Sequence, residues 1–493
     1  MKKSFRIMVF LLAMCMVITL PACSGRKTAS GYWVNSDYTE DFTDNIDSGT
    51  ESATITNSQD NSSNGTTVSS NTSEVDRNSN TMKIRRNVSP KAKTSVMNNL
   101  NFGGKSFRML VWNTNYTEQD KKTIKEFADK YNCRITVDSL EFESYPQLMA
   151  TSISAGKPYD VVKLHAAHFP QVAINNLLQP LEKYISSSDI TTSTNKTGVD
   201  WNKMKYNATW NNHVYYTIGH RGTMMAAIMY NKLMFDDFGL EDPLELYNKG
   251  IWTWDKIREY ANIVSSSNSN VYLFDSSVSL RYSPVTGANF YSISDDGTIQ
   301  WKGANTDLYT QYNERRKMMN LSPLYAESAT VDTIVEGKAM MHYLELQQII
   351  SFTNSLKASA ALGKNLENIG VVPLPFDSNG KYNGWAPYGY GSCVGAEPTV
   401  AVAFSIFSSD KADGWENSGI AAIDNNKALF NSLFDKVNIK NYYTFVTADG
   451  QRSDEITWPM QNDIYNKNAD IMKNLESYAP KLKALIDYNM SKQ

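Results

Sequence analysis

The chain has 493 residues, 48 basic against 51 acidic, for a formal net charge of −3, and its folded part carries no long basic stripe. That balance argues against nucleic acid as a partner, because binding a polyphosphate needs a dense cationic surface. Its four cysteines, Cys15, Cys23, Cys133 and Cys393, are too few for a disulfide framework. Cys133 and Cys393 both fall in strand-like contexts, where two buried thiols and a single bridge are both open readings.

Lys2, Lys3 and Arg6 precede an apolar run from Ile7 to Leu20, which closes on Leu20-Pro21-Ala22-Cys23. A basic start, a short apolar stretch and small residues at a cut make a secretory signal. The run is roughly 14 residues, short of the roughly 20 that a helix needs to span a bilayer. The tetrapeptide resembles the lipobox of bacterial lipoproteins. The resemblance implies that residues 1–22 are removed and that Cys23 carries a thioether-linked diacylglycerol, leaving the protein lipid-anchored on the outer face of the cell membrane. At about 0.8 kcal/mol per buried methylene, two acyl chains hold a protein there stably. An ordinary signal peptide with an unmodified cysteine is the other reading.

Residues 23–104 read as a disordered linker rich in Ser, Thr and Asn, as in Asn57-Ser58-Gln59-Asp60-Asn61-Ser62-Ser63-Asn64-Gly65. So little apolar surface does not offset the entropy of ordering the chain. A flexible coil of about 80 residues spans roughly 45–55 Å, enough to lift a domain clear of a surface. The remaining residues, 105–493, exceed the usual size of a single core and predict two lobes.

Lys105 to Trp112 alternates Phe107, Met109 and Val111, a strand signal. Thr117-Glu118-Gln119-Asp120 offers a capping box, and Ile124, Phe127, Ala128 and Tyr131 recur at helical spacing. A strand from Arg134 to Leu140, a helix from Tyr145 to Ala155 and a strand from Asp160 to Leu164 follow. Further on, Thr253 caps a helix whose Ile257, Tyr260, Ala261 and Val264 share one face. This rhythm predicts an α/β fold of parallel βαβ units, with ligands beyond the carboxyl ends of the strands.

Several segments resemble, in order, the extracellular solute-binding lipoproteins of ABC importers, the group that includes the maltose-type sugar-binding proteins. They are Ala155-Gly156-Lys157-Pro158-Tyr159-Asp160-Val161-Val162 with Phe169-Pro170 and Leu178-Gln179-Pro180-Leu181; Tyr215 to Gly219; Met229 to Phe235; Trp252-Thr253-Trp254-Asp255-Lys256; Glu336 to Met341; and Ile369 to Pro375. The resemblance implies a two-lobe periplasmic-binding-protein-like fold with a hinge and an interlobe cleft. Lobe 1 would take about 105–223 plus part of 373–430, and lobe 2 about 224–372 plus the C-terminus. The hinge would lie near Thr223 to Ile228 and Val372 to Leu374, with Met229 to Lys232 suiting a crossover between lobes. A small-molecule solute, sugar above all, and ABC permease subunits are the implied partners, and a monomer the implied state.

Ligand contacts are then expected on loops at strand ends: Trp112 and Asn113 after the first strand, His165 and His168 after the third, and Arg281 and Tyr282 in the second lobe. Trp385 and Tyr388 sit in the Gly384-Trp385-Ala386-Pro387-Tyr388 run, and Trp458 in the late region. An aromatic plate with planar polar groups suits the apolar face and hydroxyl rim of a pyranose. Enzyme readings find little: His165-Ala166-Ala167-His168 lacks the glutamate of HExxH, and no GxSxG, Walker or GxGxxG motif occurs. No cofactor and no metal site is expected. A receptor for peptide or another solute, a sensor co-receptor or adhesin, and a lipid-anchored glycoside hydrolase remain as alternatives.

Overall fold

The computed structural model describes residues 81–113, 116–219 except 193 and 196, 226–274 except 268–269, 290–319 except 295, 334, 337–345, 368–375, 383–384, 388–409, 424–430, 438–439, 453–466 and 469–493. The signal, Cys23 and most of the Ser/Thr/Asn-rich stretch lie outside them. In chain order the principal elements begin with β1 (Thr81–Lys83), β2 (Ser106–Trp112), α1 (Glu118–Lys130), β3 (Arg134–Leu140), α2 (Tyr145–Ser154) and β4 (Val161–His165). Then come α3 (Trp201–Asn207), β5 (Tyr216–Thr217), β6 (Ala226–Asn231), α4 (Trp254–Ser266), β7 (Tyr272–Phe274), β8 (Tyr291–Ile293) and β9 (Thr298–Trp301). The last are α5 (Thr306–Met319), β10 (Ala339–Glu345), β11 (Ile369–Pro373), β12 (Tyr388–Gly391), α6 (Pro398–Ser408), α7 (Ser453–Asn466) and α8 (Ile471–Met490).

The first lobe is built on the sheet β3-β2-β4-β12-β5. Its β3, β2 and β4 are parallel, while β12 runs antiparallel between β4 and β5. Alternation along β2 sorts its side chains between two cores, as period-2 geometry demands. Phe107, Met109 and Val111 join Phe127 of α1 and Phe404 of α6 on one face. Leu110 joins Val162, Leu164 and Tyr145 on the other. Helix α1 starts as its sequence requires: Thr117 Oγ1 accepts the Asp120 amide at 3.1 Å, and Asp120 Oδ2 accepts the Thr117 amide at 2.9 Å. Ile124, Phe127 and Tyr131 are buried.

The second lobe has the sheet β11-β6-β10-β7. Strand β6 lies antiparallel to both neighbours, and β10 and β7 are parallel. Thr253 Oγ1 accepts the Lys256 amide at 3.3 Å, and Ile257, Tyr260, Ala261 and Val264 of α4 are buried against this sheet's core. Met229 to Asn231 are therefore not a crossover. They are strand: Met229 and Tyr230 are paired on both sides and Asn231 on one, and Ile228, Met229 and Tyr230 are wholly buried. The same holds for Val372, which pairs with Ile228.

Two expected boundaries shift. Residues 81–104, expected to be linker, contain β1 and the buried Met82, Ile84 and Phe102, so folded structure is present N-terminal to Lys105. The late helices, expected with lobe 2, share a buried cluster with lobe 1: Met460, Ile464, Leu475, Leu485 and Ile486 of α7 and α8 belong with Leu110, Val162 and Leu164. Helix α5 and the β8–β9 hairpin join the same cluster through Leu308, Tyr312, Phe290 and Ile299. Cys133 and Cys393 are both free thiols, and burial pushes that of Cys393 up to about 12. No helix among the described residues is long and apolar enough to cross a membrane.

Gly370 in β11 faces the ring of Tyr230, whose hydroxyl donates to Asp242 at 2.7 Å; a Cβ there would meet ring atoms at 2.1–2.5 Å. Gly370→Ala should therefore overpack the second lobe and destabilise it by about 1–3 kcal/mol in chemical denaturation. An unchanged midpoint would show that the Tyr230 ring yields freely.

Candidate functional site

The register of the first sheet brings four strand ends to one edge. Trp112 pairs with Leu140 across β2 and β3, and Tyr388 at the start of β12 pairs with His165 at the end of β4. Because β12 is antiparallel, its first residue sits beside the carboxyl ends of β2, β3 and β4, where parallel α/β sheets present their ligand sites. Just beyond β3, a short 3₁₀ turn at Phe142–Ser144 carries a further ring to the same place.

The rings pack as one cluster. Trp112 lies 5.2 Å from Phe142, 5.3 Å from His165 and 5.2 Å from Tyr388, centroid to centroid, and Phe142 and Tyr388 stand 5.2 and 5.4 Å from His165. Most of these contacts are edge-to-face, the arrangement that aromatic quadrupoles favour. Trp112, Phe142, His165 and Tyr388 are all half-buried, so the cluster shows part of its apolar surface at the sheet edge. His165 Nδ1 accepts the Ala167 amide at 3.0 Å, so the imidazole caps the turn that follows β4. With Nδ1 an acceptor, the neutral ring carries its proton on Nε2.

Beneath the cluster the rings continue inward. Phe142 lies 4.2 Å from His168, and His168 stacks on Tyr145 at 5.4 Å with 9° between planes. His168 is 6% exposed and Tyr145 fully buried. His168, expected as a contact residue, is thus set behind Phe142, because the turn after His165 folds it back onto α2. Burial pushes the Tyr145 phenol well above its usual range, so it stays neutral.

Polar groups flank the rings. Asn113 is exposed, and its Nδ2 donates to Glu141 Oε1 at 2.6 Å, joining the loops after β2 and β3. Lys163 on β4 is nearly buried, with its ammonium 2.9 Å from Asp120 Oδ1 and 6.0 Å from the Tyr388 ring centroid. Among the described residues no group of His, Cys, Asp and Glu is placed to hold a metal ion.

Of the residues singled out from sequence, the structure brings Trp112, Asn113, His165 and Tyr388 together. Arg281, Tyr282 and Trp385 lie outside the described residues. Trp458 falls in α7, a helix of the late region. Phe142 and Glu141 were missed. The strand-end rule that named the loops after the first and third strands applies equally to the loop after the second, so the signal was present.

The profile of the bacterial extracellular solute-binding protein family matches residues 113–411, more than half of the chain. The chain belongs to that family, whose members are binding proteins. Solved structures agree on the fold at low identity. The sugar-binding protein MalE from Xanthomonas citri superposes with a TM-score of 0.58 at 10% identity, covering 78% of this chain and 98% of its own. An ABC substrate-binding protein from Listeria monocytogenes, in complex with cycloalternan, gives 0.56 at 15% over 78% and 99%. UgpB from Mycobacterium tuberculosis, in complex with glycerophosphocholine, gives 0.57 at 15% over 77% and 98%. No curated protein sequence matches the chain. The protein is a bacterial extracellular solute-binding protein with a two-lobe α/β fold.

Lys163→Met would leave the Asp120 carboxylate without its cation in a site that is 20% exposed. The expected result is a loss of about 1–3 kcal/mol in urea denaturation, the penalty for stranding one member of a pair. An unaltered stability would show that water replaces the ammonium.

Proposed function

We propose that this chain is the membrane-anchored receptor of an ABC importer, and that it captures a carbohydrate or oligosaccharide against the ring cluster of the first lobe. The observation that carries this reading is the meeting of Trp112, Phe142, His165 and Tyr388 at the carboxyl edge of the sheet, flanked by Asn113 and Glu141. A pyranose offers an apolar C–H face to such rings and hydroxyls to the polar rim, a division of labour common to small-molecule sites. Relatives of this fold whose structures hold cycloalternan or lacto-N-biose support the sugar class. Closure of the second lobe would bury the solute, with Arg281, Tyr282, Trp385 and Trp458 supplying contacts, before the receptor meets its permease. The chain performs no covalent chemistry in this scheme and acts as a monomer. His168 and Tyr145 hold Phe142 from behind.

A thermal-shift and calorimetric screen against oligosaccharides, with peptides and glycerophosphocholine as comparators, tests the solute class. Stabilisation by at least one glycan without its turnover is expected. Stabilisation by peptides or glycerophosphocholine alone, or hydrolysis of a glycan, overturns the reading. With the glycan so found, Phe142→Ala should weaken binding by roughly tenfold, about 1.4 kcal/mol, and equal affinity would remove the ring from the site.

The anchor is a separate matter. Cys23→Ser should abolish lipid attachment and release the protein into the medium, read by fractionation of cells. Retention of Cys23→Ser in the membrane fraction would assign the tether to something other than this thioether.

A further inference from the structure

Residues 81–104 join two parts of the fold. At one end they extend the β8–β9 hairpin. Thr81, Met82 and Lys83 pair antiparallel with Gln300, Ile299 and Thr298, and the Ile84 amide donates to the Gly297 carbonyl at 2.8 Å. Gly297 has φ +89°, and a Cβ on it would fall 2.3 Å from the Ile84 carbonyl oxygen, so the turn is shaped to admit this segment. From the other side, the Gln493 side chain accepts from the Arg85 amide at 2.9 Å and donates to the Lys83 carbonyl at 3.3 Å.

Further along, the same segment is fastened to the first lobe. Asn212 donates its amide to the Arg85 carbonyl, and Asn212 Oδ1 accepts the Asn87 amide, both at 2.9 Å. Lys91 and Ala92 donate to the carbonyls of Glu182 and Ile185 at 2.9 and 3.0 Å, and the Lys91 ammonium lies 3.3 Å from the buried Glu182 carboxylate. Ser95 bonds Asp189, and Phe102 enters the core beside Phe107 and Phe127.

Between the two attachments stands Arg86, 5% exposed. Its Nη1 donates to the Ser294 carbonyl in the hairpin at 3.4 Å and its Nη2 to the Tyr206 carbonyl in α3 at 3.1 Å, with the guanidinium 5.6 Å from the Tyr206 ring. One rigid fork thus holds two backbone carbonyls that are 88 residues apart in sequence, one from each body. An ammonium is a single point of charge and does not reproduce that span.

We propose that residues 81–104 are a brace, pinned by Arg86, that locks the β8–β9 hairpin to the first lobe, so that the hairpin is held on the stationary side when the receptor opens and closes. The hairpin lies covalently between β7 and β10 of the second lobe's sheet, so chain connectivity by itself ties it to that lobe, and the brace adds to the core packing that holds it to the other. The buried clusters agree: hairpin residues Phe290 and Ile299 group with Met82, Ile84 and the first-lobe core, and not with the core of the second lobe. The mobile part would then be the body around β6, β7, β10 and β11.

Hydrogen exchange on the full-length protein, with Arg86→Ala and Arg86→Lys, tests this without any solute. In Arg86→Ala, amides of the hairpin, including those of Ser292 to Thr298, and of the 207–212 turn should both lose protection by about tenfold, while α4 in the second lobe is unchanged. Arg86→Lys, which keeps charge and stem and provides the readout should the alanine variant fail to fold, should show a smaller loss at the same two places. Equal hairpin protection in wild type and Arg86→Lys, loss confined to residues 84–88, or an equal loss in α4 would each overturn the brace.

Discussion

The pairing of β12 with β4 is the contact on which the first lobe and its site depend. It sets Tyr388 opposite His165 across more than 220 residues of intervening chain and puts Gly389 and Gly391 against Leu164 and Val162. Glycine at 389 is forced by space. A Cβ there would lie 2.3 Å from the Tyr216 ring and 2.4 Å from the Thr217 carbonyl, so at this position β12 fits between β4 and β5 only as bare backbone. The ladder closes the sheet and delivers a tyrosine to the edge where β2, β3 and β4 end.

From that edge the site follows by simple geometry. Parallel strands end together, and the rings at their ends pack against one another. Packing mostly edge-to-face, they leave part of their surface exposed, an arrangement suited to holding an apolar ligand face. The rings behind, Phe142 on His168 on Tyr145, join this surface to the interior, where close packing transmits little slack. The polar flank is organised in the same economical way, with Lys163 neutralised by the residue that also caps α1.

How much of this was legible can be seen residue by residue. The capping box at Thr117 and Asp120, the Thr253 cap and the buried face of α4 were readable because hydrogen bonding within four residues and a 3.6-residue period are local facts. Trp112 and His165 were readable for a similar reason, since a strand's last residue is marked by where its alternation stops. Phe142 carries no such mark of its own, because it lies two residues beyond the second strand, whereas Trp112 is the last residue of the first. Met229 to Asn231 looked like a crossover, because an extended apolar run does not reveal which strands will flank it. The order in residues 81–104 is hidden for a different reason. Met82, Ile84 and Phe102 are few and widely spaced among polar neighbours, and their partners are remote in sequence or arrive by tertiary packing: the hairpin about 200 residues away meets Met82 and Ile84, while Phe107 and Phe127 of the first lobe bury Phe102.

The sequence by itself determined the class of fold, the local elements and the family, because propensity, capping and apolar periodicity act over a few residues and the family's segments recur in order. Only the tertiary structure decided which chain segments share a core. It placed the late helices and the hairpin with the first lobe, gave residues 81–104 a partner, and gathered four rings from distant loops into one surface. The physical reason is that burial is non-directional and indifferent to sequence distance. Which apolar face meets which is settled by sheet register and by the few places, such as Gly297, Gly370 and Gly389, where one backbone or ring leaves room for another.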